Sequence, residues 1–416
     1  VTDVRDSLPK TGLLRAYVDW ATRVVPVPGW YVLYTILPFF AHELSLRGYT
    51  WLDQPFRFWS GLVGPTGSGK STAALLAQDF AKAWFEVRAR DMGPCPDPFI
   101  SISSASVEAT VHAIGEKHQQ QNDLSCAILV ADEFTSVIQR KGFLEFLNTI
   151  YDCRNYSLNY MKYRNTDVKT LIKNPRVSLC VLTTIDALGI NAERDFGGGG
   201  MLNRLNWVRE NAMPYDDEER VREYASIAGI WQEWGRRLLV NESMGFKHGG
   251  VTYAWPKNIE FDLAAKPIIK ALAMRNGELS MTDNHVGTHY RSANVAKMIA
   301  CMLALADGRA WANVEDVRLA CALCTRAVGA AIKTEREIDK RNPDYTMQEK
   351  VKEAIVESGE KGMTMRDLSR ELHLTADQLR RHIDGLRSMG TIQVEMVGQS
   401  QLIRDVKYPM VAIRLN

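Results

Sequence analysis

The chain has 416 residues, 46% hydrophobic and 24% charged, which is long enough for roughly two or three domains and too apolar for a disordered chain. A formal net charge of +2 excludes a global basic field, so any nucleic-acid contact has to come from local patches. Seven scattered cysteines, an odd number, suit the reduced thiols of a cytoplasmic protein better than a disulfide framework.

The first residue is Val1 rather than Met, which leaves room for a longer protein with a preceding segment, a primase being one candidate. Two helices are expected first, Leu13–Ala21 and Trp30–Leu46, separated by the turn former Val25-Pro26-Val27-Pro28-Gly29. The run Trp30–Ala41 is too short to cross a bilayer and contains Pro38, so it reads as a packed helix. No transmembrane or signal segment is expected, and no membrane partner.

A buried strand over Phe58–Val63 should lead into a glycine-rich loop, with a helix from Lys70 towards Val87. A second strand is expected at Phe99–Ile102, then a helix capped by Ser104 that carries Val107, Val111 and Ile114. The third strand, Cys126–Ala131, is continuously apolar, as suits a parallel strand covered on both faces. A helix over Phe143–Tyr151, a polar hairpin around Ser157–Ile172 and a fourth strand over Val177–Thr183 follow. This alternation predicts an α/β fold with a parallel sheet and right-handed crossovers.

From Asp216 the pattern is mostly helical, over 216–240, 261–275, 287–305 and 314–340. Arg341-Asn342-Pro343-Asp344 reads as a hinge. Beyond it come helices 347–357, 365–372 and 375–389, then strands Ile392–Val397 and Leu402–Val406, which is the winged-helix order. Thr375 suits the N-cap of the third of these helices and Gly390 its C-terminal stop.

The chemistry concentrates in Gly64-Pro65-Thr66-Gly67-Ser68-Gly69-Lys70-Ser71, followed by Thr72. The glycines let the backbone turn so that successive N–H groups point inward as an anion nest, and the following helix adds its positive end. Lys70 can reach the β- and γ-phosphates of ATP, and the Ser71 hydroxyl can ligate Mg2+. Asp132, ending the third strand 62 residues after Lys70, is placed to hold the metal through its water shell. Its neighbour Glu133 is placed to polarise the attacking water. Thr183 and Thr184 end the fourth strand, where a polar group can stand between that water and the γ-phosphate; strand-end hydrogen bonding is the plainer alternative.

Phe196-Gly197-Gly198-Gly199-Gly200 follows no strand and reads as a mobile approach to Met201-Leu202-Asn203-Arg204-Leu205. Arg204 is the candidate arginine finger for a neighbouring subunit's nucleotide, against the alternative of a surface salt bridge. Arg291, in the lid helix 287–305, is the candidate that contacts the γ-phosphate from above. Basic and aromatic residues interleave at Tyr160, Met161, Lys162, Tyr163, Arg164 and Lys169 on the hairpin, a pattern suited to gripping DNA; a solvated hairpin is the alternative.

In the C-terminal segment Gln378, Arg380, Arg381 and Arg387 lie on or near the third helix, which in such folds can enter the major groove. Residues 346–416 nonetheless hold 11 Lys+Arg and 10 Asp+Glu, a difference of +1, so a protein-contact role stays open. Cys321 and Cys324 read as a buried helix face, and His285 and His289 as surface or lid residues rather than metal ligands.

Asp132-Glu133-Phe134, the hairpin before the fourth strand, and Leu202-Asn203-Arg204-Leu205 followed by Asp216-Asp217-Glu218-Glu219-Arg220 together resemble the AAA+ ATPase core of minichromosome maintenance helicases. Arg291-Ser292 through Ala310 to Val314-Glu315-Asp316-Val317 resembles the lid helices of that family. In its leading helices, the Tyr151-Asp152 segment and the glycine-rich approach to Arg204, the chain is more similar still to primase–helicase-like ATPases of phages and mobile elements. The resemblance covers roughly 10–340. It implies a hexameric ring with ATP at subunit interfaces, Arg204 as finger and Arg291 as lid arginine. Only about 23 residues separate the second and third strands, too few for the large insert of the helicase family, and Thr183/Thr184 stand where that family has asparagine.

The expected architecture is therefore an N-terminal helical segment (1–50), a parallel-sheet AAA+ P-loop core (51–215), a helical lid (216–341) and a C-terminal winged-helix domain (346–416). The expected activity is an ATP-driven DNA translocase or helicase for a phage, plasmid or mobile element, with a primase or replisome partner. The alternative is an ATP-gated DNA-binding initiator, loader or defence switch that does not unwind.

Overall fold

In the computed structural model, which describes residues 3–405 apart from 93–96, 121–124, 162–166, 192–201, 212–228, 232, 236, 238–244, 249–250, 283–285, 342, 389–391 and 398–399, the apolar runs assemble into a five-stranded, all-parallel sheet. The chain divides into two compact units, 1–335 and 336–416.

In the first unit, α1 (Leu13–Val24) and α2 (Gly29–Leu46) precede a short β1 (Thr50–Trp51) and β2 (Gln54–Pro55). The sheet strands begin with β3 (Trp59–Val63), whose five residues are all buried; α3 (Lys70–Met92), β4 (Phe99–Ser101) and α4 (Val107–Gln120) follow. Then come β5 (Cys126–Asp132), α5 (Phe134–Ile138), α6 (Phe143–Tyr151), the hairpin β6 (Tyr156–Met161) and β7 (Asp167–Ile172), β8 (Arg176–Thr183), α7 (Ile185–Asn191) and β9 (Asn206–Arg209). The sheet order is β4-β5-β8-β3-β9.

The strands and the hairpin fall where the sequence places them, with two corrections. The cap of α4 is Ser106, whose hydroxyl accepts from the Ala109 N–H at 3.2 Å, rather than Ser104. The fifth strand, β9, was not foreseen: only Trp207 and Val208 of its four residues are buried, too short a run to signal a strand. Its position is fixed by packing, because the Trp207 ring lies where a β-carbon on Gly61 would stand, 2.5 Å from the Trp207 Cε3.

The leading helices belong to the core. α2 is buried from Trp30 to Ser45, Pro38 included, and packs on β3, β5 and β8. Beside it an aromatic cluster joins Phe39, Phe80, Trp84, Trp231 and Trp234, with ring centroids 4.6 to 5.9 Å apart. The buried pair Arg47–Glu43, 2.7 Å apart, sits against it with the Arg47 guanidinium over Trp84 and Trp234.

The region read as mostly helical also contains strands. Asn258–Phe261 pairs in parallel with β1 and with Trp311–Ala312. The helix expected at 261–275 therefore starts at Lys266 and runs to Thr282, behind Asp262, whose carboxylate accepts from the Ala265 N–H at 2.7 Å. Phe246–His248 and Val251–Tyr253 form a further antiparallel ribbon. These segments are two to four residues long, below the length at which alternation is readable. The helices Val286–Ala306 and Val314–Arg341 match expectation; the second opens with reciprocal bonds between Asn313 and Asp316, which also holds Arg309 through two 2.6 Å bonds. Most of the expected helix 216–240 lies outside the described residues.

In the second unit, helices Pro343–Glu357, Met365–Glu371 and Ala376–Ser388 pack with a three-stranded antiparallel sheet. The strand Met363–Thr364, unforeseen, pairs with Ser400–Asp405, which pairs with Ile392–Val397. Thr375 caps the third helix as predicted: its hydroxyl accepts from the Gln378 N–H, and the Gln378 side-chain Oε1 accepts from the Thr375 N–H at 3.0 Å. Leu379, Ile383 and Leu386 form that helix's buried face. Among the described residues, no helix is long and apolar enough to cross a membrane.

Candidate functional site

The glycine loop joins the carboxyl end of β3 to α3. The connection from β3 leads towards one edge of the sheet and that from β8 towards the other, so a crevice opens between their carboxyl ends. Gly67 and Gly69 take φ of +78° and +85°, the left-handed conformations the loop requires. Gly64 is needed for a different reason: a β-carbon there would lie 2.7 Å from the Ser68 hydroxyl and 2.8 Å from the Glu210 carbonyl, and closer still to the Tyr31 hydroxyl.

Lys70 is buried, and its ammonium donates to the carbonyls of Gly64 and Pro65 at 2.8 Å each and to the Ser68 hydroxyl at 3.1 Å. Burial lowers its pKa below the ordinary lysine value, partly opposed by the Asp132 carboxylate. The cavity over the loop measures about 660 Å³ and is lined by Thr66 to Thr72, Asp132, Glu133, Thr183 and Thr184. All the residues predicted around the phosphate loop therefore converge, with Gly64 and Pro65 forming the loop's base. Ser71 and Asp132 both line this cavity, and oxygen-bearing side chains of this kind suit a hard divalent cation.

The carboxyl end of β5 is built by groups the sequence did not single out. The Asp132 N–H donates to the Ser103 hydroxyl at 2.9 Å, and the Arg140 guanidinium clamps the carbonyls of Ile102, Ser103 and Ala105. Glu133 follows with φ +59°, a left-handed conformation that costs a non-glycine residue about 1–3 kcal/mol and aims its exposed side chain at the cavity. Thr183 is buried, while the Thr184 hydroxyl accepts from the Ala187 N–H at 3.1 Å and caps α7, so the plainer role proposed for Thr184 is present beside its place on the cavity wall.

Two further elements were missed. The turn Val25-Pro26-Val27 walls the cavity, with a Val27 methyl 3.0 Å from where a β-carbon on Gly69 would be. Tyr31 lies under the loop: its hydroxyl donates to the Val63 carbonyl at 2.7 Å and accepts from the Glu210 N–H at 3.1 Å. Glu210 in turn pairs with Arg326, whose guanidinium lies 4.1 Å from the Trp30 ring. Nothing in the local pattern of an apolar helix marks one of its tyrosines as a brace.

Arg204 and Arg291 do not line this cavity. They stand side by side elsewhere, both over the ring of Tyr151, at 5.3 and 5.9 Å, and both lining a second recess. Arg291, expected to contact the γ-phosphate from above, stands instead beside Arg204. Arg204 is 11% exposed, lies 3.7 Å from Asp152, and has its pKa lowered by burial and then by Arg291.

Of the DNA candidates, Lys162, Tyr163 and Arg164 lie outside the described residues, as does the glycine run 196–200; Lys169 is on β7. Arg380 and Arg381 are exposed on the helix Ala376–Ser388, opposite its buried face. Cys324 is buried and Cys321 partly so, and burial raises both thiols. No protein-family model matches the chain, and no curated protein matches it either.

Proposed function

We propose that the chain is an oligomeric, ATP-hydrolysing P-loop motor of the AAA+ kind that acts on DNA, as a translocase or helicase for a phage, plasmid or mobile element. The observation that carries this reading is the convergence of Lys70, Ser71, Asp132, Glu133 and Thr183 on one cavity at the carboxyl ends of β3, β5 and β8, while Arg204 and Arg291 stand together outside it. Backbone N–H groups and the amino end of α3 would hold the triphosphate, with Lys70 exchanging loop carbonyls for phosphate oxygens. Ser71 and Asp132 would hold Mg2+, which when bound neutralises phosphate charge. Glu133 would orient and polarise the attacking water, and Thr183 would fix it from the opposite side. An arginine pair distant from its own cavity is explained if it completes a neighbour's, which requires a ring, taken as a hexamer.

The unit 336–416 is read as a winged helix whose exposed Arg380 and Arg381 would face phosphates, and the hairpin β6–β7 of the first unit is read separately as a strand-gripping element. The test is ATP turnover by the purified chain with and without forked DNA, together with strand displacement. DNA-stimulated turnover with unwinding supports a motor. Slow turnover with assembly on DNA and no displacement moves the reading to an ATP-gated initiator, loader or switch. No turnover by the native chain, with Glu133→Gln indistinguishable from it, removes both.

A further inference from the structure

We propose that Tyr151 and Asp152 are positioning residues that hold Arg204 and Arg291 as one guanidinium pair, with Arg57 as a third cation on the same ring, to receive the terminal phosphate of a neighbouring subunit. This rests on the trans-acting reading of Arg204 and goes beyond it, because it assigns the device that presents the cations.

Three guanidiniums surround one phenol ring: Arg57, Arg204 and Arg291 lie 5.1, 5.3 and 5.9 Å from the Tyr151 centroid. Each gains from the ring's negative charge, which offsets part of the repulsion between like charges brought to one place. Asp152, the next residue and the cap of α6, holds Arg204 from the side at 3.7 Å. The ring itself is fixed: Tyr151 meets Trp59 edge-on at 4.9 Å, and the Trp59 indole donates to the Val177 carbonyl at 2.8 Å. Beside the ring, Arg57, Trp59, Tyr151, Arg291 and Lys297 line a cleft of about 550 Å³, a nucleotide-sized space with a surplus of positive charge.

Trp59 opens β3, and Val63 at its other end leads into the phosphate loop. The platform and the loop thus sit at opposite ends of one strand, separated by roughly 13 Å of extended chain. A single rigid strand that carries a nucleotide cradle at one end and a cation cluster at the other suits a head-to-tail contact between copies, in which one end faces each neighbour.

The test is steady-state ATP turnover of the full chain for Tyr151→Leu, Tyr151→Phe, Asp152→Asn, Arg204→Ala and the double variant Tyr151→Leu/Arg204→Ala. Tyr151→Leu is expected to lower kcat roughly tenfold with KM unchanged, and Tyr151→Phe, which keeps the ring, to stay within about twofold of the native chain. The double variant should lose less than the product of the two single losses, because the platform acts in part through that arginine. Native kcat for Tyr151→Leu, a raised KM without loss of kcat, or additive losses in the double variant would overturn the platform. Native turnover for Arg204→Ala would instead sink the trans reading beneath it. If Tyr151→Leu does not fold, Asp152→Asn decides, its side chain being 35% exposed: a several-fold loss of kcat is expected, and native kcat refutes the proposal.

Discussion

The Tyr31 hydroxyl stands 2.7 Å from the carbonyl of Val63, the last residue of the strand that feeds the glycine loop, and 3.0 Å from the carbonyl of Glu210 beyond the neighbouring strand. One phenol from a leading helix therefore ties together the two strand ends that flank the loop. Tyr31→Phe keeps the packing and removes these bonds. A loss of about 1 kcal/mol is expected, since the Val63 carbonyl keeps only the longer 3.4 Å bond from the Glu210 N–H. Thermal melting should show a midpoint lower by a few degrees; an unchanged midpoint would show that the brace contributes nothing.

The loop glycines should separate by mechanism. Gly64→Ala forces a methyl against the Ser68 hydroxyl, the Tyr31 hydroxyl and the Glu210 carbonyl, the last a backbone atom that cannot swing away. Gly67→Ala meets nothing within 4 Å and carries only the strain of φ +78°. Nucleotide titration should show binding abolished in the first and weakened by roughly tenfold or less in the second.

Lys70→Ala should lower triphosphate affinity by about a hundredfold or more, because it removes both the charge and the donor. The native affinity should also fall on the alkaline side. Burial lowers the Lys70 ammonium from the ordinary lysine value, so the protonated form is lost at a lower pH than for an exposed lysine. Titration with a fluorescent nucleotide across the alkaline range checks this; flat affinity up to and beyond the ordinary lysine value contradicts it.

Buried thiols predict alkaline sensitivity of the fold. Burial pushes Cys126 up to about 12 and Cys180 up to about 11, against an ordinary value of 9.0. A raised thiol stabilises the folded state fully below the unfolded value and loses that contribution as pH rises through the folded one. Stability should therefore fall between about pH 9 and about pH 12, and Cys126→Val/Cys180→Val should flatten the slope of the melting midpoint against pH.

If the second unit grips phosphates, Arg380→Ala/Arg381→Ala should weaken DNA binding without sequence preference and reduce the salt slope by about one per phosphate contact removed. Unchanged affinity and slope would leave that face to a protein contact.

The parts legible in the sequence are those with strong local signals. The continuous apolar runs of β3, β5 and β8, the glycine spacing from Gly64 to Gly69 and the Thr375 cap each announce themselves within a few residues. What was missed is tertiary. β9 is held by Trp207 against Gly61, Tyr31 reaches a loop more than thirty residues away, and Ser103 fixes Asp132 from the bend after β4. Arg291, expected over the glycine loop, stands beside Arg204 instead, because Tyr151 collects both arginines from separate elements.

The most direct measurement of the central claim is ATP turnover in equal mixtures of Arg204→Ala and Glu133→Gln chains after subunit exchange. Each variant alone should be nearly inactive, one lacking the charge supplied to its neighbour and the other lacking the water-activating carboxylate. A random mixture makes about a quarter of its contacts from an intact carboxylate site facing an intact arginine, so turnover should recover towards about a quarter of the native rate. A mixture no faster than the sum of its two components would contradict catalysis across a subunit boundary.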